Sequence, residues 1–193
     1  MRPEEITQCD AVFFAVPTGT PMELVRSFLS QKTKVIDLGA DFRLKTWLIG
    51  SVFTRKSICP EIIQDAVYGI PELHRDDIRQ TDVVANPGCF ASAGIPGMAP
   101  LVKAGLVEPD HIIIDGLSGT TGAEIDTPSH HPEIANNIVP YNVVNHRHTY
   151  EMEQKLGLLT TVYISPQHMC QLQEESWQSA IVFQKDRLTG ENC

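Results

Sequence analysis

Along the amino-terminal part of the chain the spacing of apolar residues changes character twice. Residues 10–19 (DAVFFAVPTG) form a continuous apolar run closed by Pro17 and Gly19, which predicts a strand buried on both faces with a loop at its carboxyl end. From Pro21 to Gln31 the apolar residues Met22, Leu24, Val25, Phe28 and Leu29 fall at helical spacing, and residues 34–38 (KVIDL) return to a buried-strand pattern. Strand, helix and strand in such short compass predict a crossover unit of a parallel sheet.

Residues 51–61 carry no clean period, and the Gly and Pro of residues 68–74 (YGIPELH) predict an ordered loop. Residues 81–85 (TDVVA) predict a third strand, which runs into Asn86-Pro87-Gly88-Cys89. From Phe90 the residues are small and helix-compatible, with a stop at Gly105 and Lys103 in the last turn. Cys89 is therefore expected at a helix amino terminus. Residues 111–115 (HIIID) predict another buried strand followed by a glycine-containing loop over 116–122, a helix is expected from Thr149 to Leu156, and a strand over 160–164. No internal repeat or heptad is present, so solenoid and coiled-coil architectures are excluded.

Composition narrows the class. The chain has 193 residues, 42% of them hydrophobic, with no run of roughly 18 apolar residues, so a globular, cytoplasmic α/β protein without a membrane span or signal peptide is expected. A net charge of −9 argues against a nucleic-acid partner, whose phosphates require clustered Lys and Arg. The cysteines Cys9, Cys59, Cys89, Cys170 and Cys193 contain no CxxC pair, which fits a reducing compartment better than a disulfide framework or a metal site.

A cysteine acts as a nucleophile through its thiolate, and the unpaired amides at a helix amino terminus favour that form. A buried structural cysteine is the competing reading. Covalent chemistry also needs a proton-transfer group, and the densest candidate is residues 145–151 (NHRHTYE), which open a helix with two histidines and an arginine; capping by His148 or Thr149 is the structural alternative. The glycines of residues 116–122 are spaced loosely as in a dinucleotide fingerprint, but no amphipathic helix follows. A loop facing substrate or nicotinamide, or a structural turn, fits better.

Five stretches, VIDLGADFRLK (35–45), AVYGIPELHR (66–75), VVANPGCFASA (83–93), IIIDGLSGTTGA (112–123) and HRHTYEMEQKL (146–156), resemble N-acetyl-gamma-glutamyl-phosphate reductases in order and spacing, over roughly residues 9–165. The resemblance implies a partial Rossmann (doubly wound) nucleotide-binding domain over 1–88, then a partial α+β catalytic and dimerisation domain of the glyceraldehyde-phosphate-dehydrogenase type over 89–166. It implies Cys89 as thioester nucleophile and His146 as catalytic acid and base. Arg43 and Arg147 resemble anion-binding arginines, Ser118, Gly119, His148 and Glu151 match substrate-site positions, and Pro17, Thr18, Gly19, Asn86, Pro87 and Gly88 match cofactor contacts. NADP(H), an acyl phosphate substrate and a homo-oligomer follow from the same resemblance. The implied reaction is attack of Cys89 on the acyl phosphate, loss of phosphate, hydride delivery to the thioester, and release of aldehyde with His146 giving the proton. Aspartate- and aminoadipate-semialdehyde dehydrogenases are the related alternatives.

Two departures accompany it. The family's glycine-rich, pyrophosphate-cradling turn is not found before Asp10, which is expected to weaken cofactor affinity. Past Ser165 the family's Pro-x-x-Val-Pro-x-x-Arg-Gly pattern is absent; read one base out of register, Met169–Cys170 forces Val, Trp177–Gln178 forces Ala, and the junctions between them permit Arg-Gly in family order. Residues 167–193 are accordingly expected to be a frame-shifted, non-family tail, with 46–54 a weaker second patch; codons that fail to spell the motif in the shifted frame would refute this. A non-catalytic fragment or pseudogene product, and a cysteine hydrolase using Cys89 and His146, are the readings from other classes.

Overall fold

The computed structural model describes residues 9–45, 59–107, 112–119, 137–143 and 145–158, together with the backbone of two strands at 162–169 and 178–184. The patch at 46–54 lies outside the described residues. The chain divides into two compact units, Met1–Gly88 and Cys89–Cys193.

The first unit is a four-stranded, wholly parallel sheet in the order β1-β2-β4-β3, from β1 (Ala11–Phe14), β2 (Lys34–Asp37), β3 (Val67–Tyr68) and β4 (Val83–Ala85). Helix α1 (Thr20–Ser30) connects β1 to β2 and buries Pro21, Met22, Val25 and Phe28, a stripe at the spacing seen in the sequence. Phe28 meets Phe14 edge-to-face at 5.4 Å, in the same core cluster as the buried Val35. Each such aromatic contributes on the order of 2–3 kcal/mol by leaving water. Among the described residues two further helices follow, α2 (Pro60–Asp65) and α3 (Pro71–Gln80).

Two expectations fail in this unit. Strand β1 was expected to be buried on both faces, yet Phe13 is 64% exposed, because among the described residues β1 stands at the sheet edge and α1 covers only the Phe14 face. The expected loop over 68–74 is instead β3 and the start of α3. Pro71 does not break structure there; it begins it, since a proline at the first helical position gives up an amide that would have no partner.

Lys45 pins this unit together by donating from Nζ to the carbonyls of Ile63 (2.9 Å), Gln64 and Ala66, the carboxyl end of α2. A cation there also opposes the helix dipole. Replacing Lys45 by Met is expected to cost about 2 kcal/mol through these charge-assisted bonds. Thermal unfolding followed by circular dichroism should then show a midpoint lower by roughly 4–8 °C; an unchanged midpoint would refute the pin.

The second unit is a mixed sheet in the order β6-β7-β5-β8, from β5 (Ile112–Gly119), β6 (Ile138–Pro140), β7 (Val162–Met169) and β8 (Gln178–Gln184). Strands β5 and β7 run parallel, while β8 pairs antiparallel with β5 and β6 with β7. Helices α4 (Cys89–Lys103) and α5 (Arg147–Leu156) lie on the sheet face formed by Ile112, Ile114, Gly116 and Ser118. Gly94 of α4 is the contact: a β-carbon there would stand 2.9 Å from Met152 Sδ on α5 and 3.2 Å from Ile114 Cδ1 on β5. Residues 116–119, expected as a loop, extend β5 because β7 and β8 pair with them on both sides. The short strand expected over 160–164 is the longer β7, and the 167–193 region supplies the end of β7 and all of β8.

Candidate active site

Cys89 is the first residue of α4, half-buried, directly after strand β4 and the turn Asn86-Pro87-Gly88. Its neighbour Phe90 is 3% exposed and lies over β5, where Gly116 leaves the space that its ring fills.

His146 stands at the amino terminus of α5 and is buried. Its Nδ1 accepts a hydrogen bond from the His148 backbone N–H at 3.2 Å, so the ring caps the helix. That bond assigns Nδ1 as acceptor and leaves the proton of the neutral ring on Nε2. Among the described residues three rings hold the imidazole edge-to-face: His148 at 4.5 Å, Phe90 at 5.4 Å and Tyr141 at 5.7 Å. Phe90 also meets His148 at 5.8 Å. One turn on, Glu151 is 2% exposed, with Oε1 at 3.9 Å from His148 Nε2.

Tyr141 was not singled out from the sequence. Burial pushes its phenol up to about 12, with the nearby Cys89 raising it further and Arg147 opposing. The hydroxyl is thus a proton donor at neutral pH within electrostatic reach of both side chains. A lone tyrosine in a segment without periodicity carries no signal in sequence; only its packing against His146 identifies it.

The second unit therefore brings together Cys89, His146, His148, Glu151 and Arg147, the last exposed at the first residue of α5. Ser118 and Gly119 close strand β5. Ser118 is buried and turns its hydroxyl toward the Gly119 carbonyl at 3.3 Å.

In the first unit, Pro17 and Thr18 are exposed in the loop after β1, at the carboxyl end of a parallel sheet, where open α/β sheets bind nucleotides. Gly19 follows at φ 98°, and its N–H donates to both oxygens of the buried Asp41 carboxylate, at 3.0 and 2.8 Å. The amino terminus of α1 is filled by the chain's own anion. The loop leaves Pro17 and Thr18 accessible and does not form a pyrophosphate cradle. Asn86 is half-buried and Pro87 and Gly88 are buried. Arg43 is 6% exposed and donates from Nε to the Asn86 carbonyl at 2.7 Å and from an Nη to the Leu38 carbonyl at 3.0 Å.

Burial, opposed by the Gly19 amide, raises the Asp41 carboxyl from 3.8 to about 6; Asp37 adds to the rise and Arg43 subtracts from it. The folded state then holds this proton more tightly than the unfolded chain, so the associated stability is complete below pH 3.8 and is lost as pH climbs through about 6. Unfolding midpoints measured from pH 4.5 to 7.5 should fall more steeply for the native chain than for Asp41→Asn. Equal slopes would contradict the assignment.

Comparison with known proteins agrees with this anatomy. Residues 1–81 match the family model described as semialdehyde dehydrogenase, NAD binding domain, and residues 89–174 match semialdehyde dehydrogenase, dimerisation domain. Aspartate semialdehyde dehydrogenase II from Vibrio cholerae, complexed with ASA, superposes with a TM-score of 0.61 at 13% identity, covering 88% of this chain and 53% of that one. The Francisella tularensis aspartate semialdehyde dehydrogenase gives 0.59 at 14% identity, covering 97% and 62%. With a parallel-sheet unit, a mixed-sheet unit and a helix-opening cysteine all in place, the chain belongs to the semialdehyde dehydrogenase family, whose first domain binds a nicotinamide cofactor.

Within that family it stands with the N-acetyl-gamma-glutamyl-phosphate reductases. It is 46% identical over 171 residues to the one from Methanopyrus kandleri, covering 84% of this chain and 48% of the relative. It is 41% identical over 160 residues to that of Desulforudis audaxviator, covering 81% and 46%. The chain spans about half the length of these relatives. The family model reaches residue 174, past the limit at Ser165 expected from the motifs alone.

Proposed function

We propose that the chain carries the catalytic machinery for NADPH-dependent reduction of N-acetyl-gamma-glutamyl phosphate to N-acetylglutamate semialdehyde, through a thioester on Cys89. The observation that supports it most is the placement of His146: a helix-capping imidazole with its proton on Nε2, held by Phe90, His148 and Tyr141 next to the helix that Cys89 opens.

The Cys89 sulfur forms a bond to the acyl carbon as the bond from that carbon to the phosphate oxygen breaks, and phosphate leaves. NADPH, when bound, supplies hydride to the thioester carbon. His146 donates a hydrogen bond from its Nε2 N–H to the oxygen that becomes negative, and the carbon–sulfur bond then breaks to release aldehyde and thiolate. Tyr141, a neutral phenol near the sulfur, donates to the same oxygen. Arg147, exposed beside the site, attracts the substrate's anionic groups; Ser118, Gly119, His148 and Glu151 shape the site from the strand and helix behind. Pro17, Thr18 and Gly19, with Asn86, Pro87 and Gly88, present backbone to the nicotinamide.

A cytoplasmic setting suits this chemistry, since a nucleophilic Cys89 needs a reducing compartment. Pairing of two copies through the second unit is supported by the dimerisation-domain match and by Ile113, 40% exposed on the sheet face turned away from the helices. The test is NADP-dependent oxidation of N-acetylglutamate semialdehyde by the purified chain. The expected result is a rate that requires added phosphate. A folded chain that gives no rate and binds no NADPH would favour a non-catalytic product of the same family.

A further inference from the structure

Three buried charged residues lie between the two loops assigned to cofactor and nucleophile, and all belong to the first unit. Asp37 ends β2 fully buried, Asp41 is 3% exposed and Arg43 6% exposed. The Asp41 carboxylate grips the Gly19 N–H with both oxygens, closing the loop that contains Pro17 and Thr18. Arg43 grips the Asn86 carbonyl at 2.7 Å, three residues before Cys89, and the Leu38 carbonyl at 3.0 Å. Asp37 joins the two ends: its carbonyl accepts from the Asn86 N–H at 2.9 Å, and its carboxylate accepts from the Gly39 N–H at 3.0 Å at the start of the turn that presents Asp41 and Arg43.

We propose that Asp37, Asp41 and Arg43 form one buried clamp that sets the cofactor loop and the nucleophile turn together, with Arg43 serving as a positioning residue through the Asn86 carbonyl. The naming of the two loops rests on the reductase reading; the clamp itself does not. One guanidinium faces two buried carboxylates in a water-poor site, so removing it leaves both uncompensated and removing either carboxylate alters the field on the other two groups; a change at one loop thereby reaches the other. Arg43 lies within electrostatic reach of both carboxylates, favouring their charged forms against the cost of burial. The other titratable neighbour among the described residues is the Cys59 thiol, which feels Asp41.

The test uses the whole chain and needs neither NADPH nor substrate. Amide hydrogen exchange of Gly19 reports on the first loop, and the rate of Cys89 alkylation by iodoacetamide, read by peptide mass spectrometry well below each variant's melting point, reports on the second. Asp41→Asn keeps an acceptor and the size of the side chain; it is expected to speed Gly19 exchange about fivefold or more. It is also expected to change Cys89 alkylation about threefold, although Asp41 bonds to the other loop. Arg43→Lys keeps the charge and loses the fork at the Asn86 carbonyl, so the Cys89 rate should shift more than Gly19 exchange does. Alkylation unchanged in Arg43→Lys, or an Asp41→Asn chain in which Gly19 alone responds, overturns the clamp. Inactivity of the unmodified chain in the reductase assay counts against the proposed function only, so the two failures are told apart.

Discussion

Cys89→Ala is expected to abolish NADP-dependent oxidation of N-acetylglutamate semialdehyde, by at least about a thousandfold, because no other side chain of the site can form the acyl bond. Binding of NADPH and the circular dichroism spectrum should be unchanged, since Cys89 is a half-buried helix opener and not a core residue. His146→Asn sharpens the result: asparagine retains an acceptor suited to the helix cap but is too short to place an N–H where Nε2 stands, so a loss of roughly a hundredfold with little change in melting temperature is expected. Rates in Cys89→Ala within tenfold of the native chain would remove the thioester from the mechanism.

Gly116→Ala is expected to damage fold and site together. A β-carbon there would stand 2.6 Å from both Cδ1 and Cε1 of Phe90, a separation that no packed pair tolerates. The ring has little room to retreat, because His146 and His148 lie edge-to-face against it. Overpacking of this kind costs about 1–3 kcal/mol. Movement of His146 with the ring should lower turnover by about a hundredfold through lost alignment. Adding Phe90→Leu to Gly116→Ala should recover most of the melting temperature, and much less of the activity, since the imidazole then lacks one of its three ring neighbours. A single variant with native stability and rate would show that the ring is free to move.

These two residues mark the boundary between what local pattern conveys and what packing adds. Cys89 was legible because a strand, an Asn-Pro-Gly turn and a run of small residues place it at a helix start whatever surrounds it. Gly116 was read as part of a loop, since glycine spacing cannot reveal that a phenyl ring crosses the strand at that point. Arg43 was legible as an arginine in a family motif, and was assigned to anions; that its guanidinium reaches the carbonyls of Leu38 and Asn86 depends on a turn whose path no periodicity specifies. Tyr141 and Asp41 were silent for the same reason, each having its effect through a residue distant in the chain.

Hydrophobic period, turn residues and motif order act over a few neighbouring residues, and they were enough for β1, α1, β2, β4, α4, the start of β5 and α5, for the class of fold and the family, and for the place of Cys89 at a helix start; α2, β3, α3, β6 and β8 carried no such local signal. Packing adds that β1 exposes Phe13, that β5 continues to Ser118 between β7 and β8, that His146 is caged by Phe90, Tyr141 and His148, and that Asp41 fills the amino terminus of α1. Strand pairing, ring packing and buried charge are contacts between residues far apart in sequence, and their geometry exists only once the chain has closed on itself.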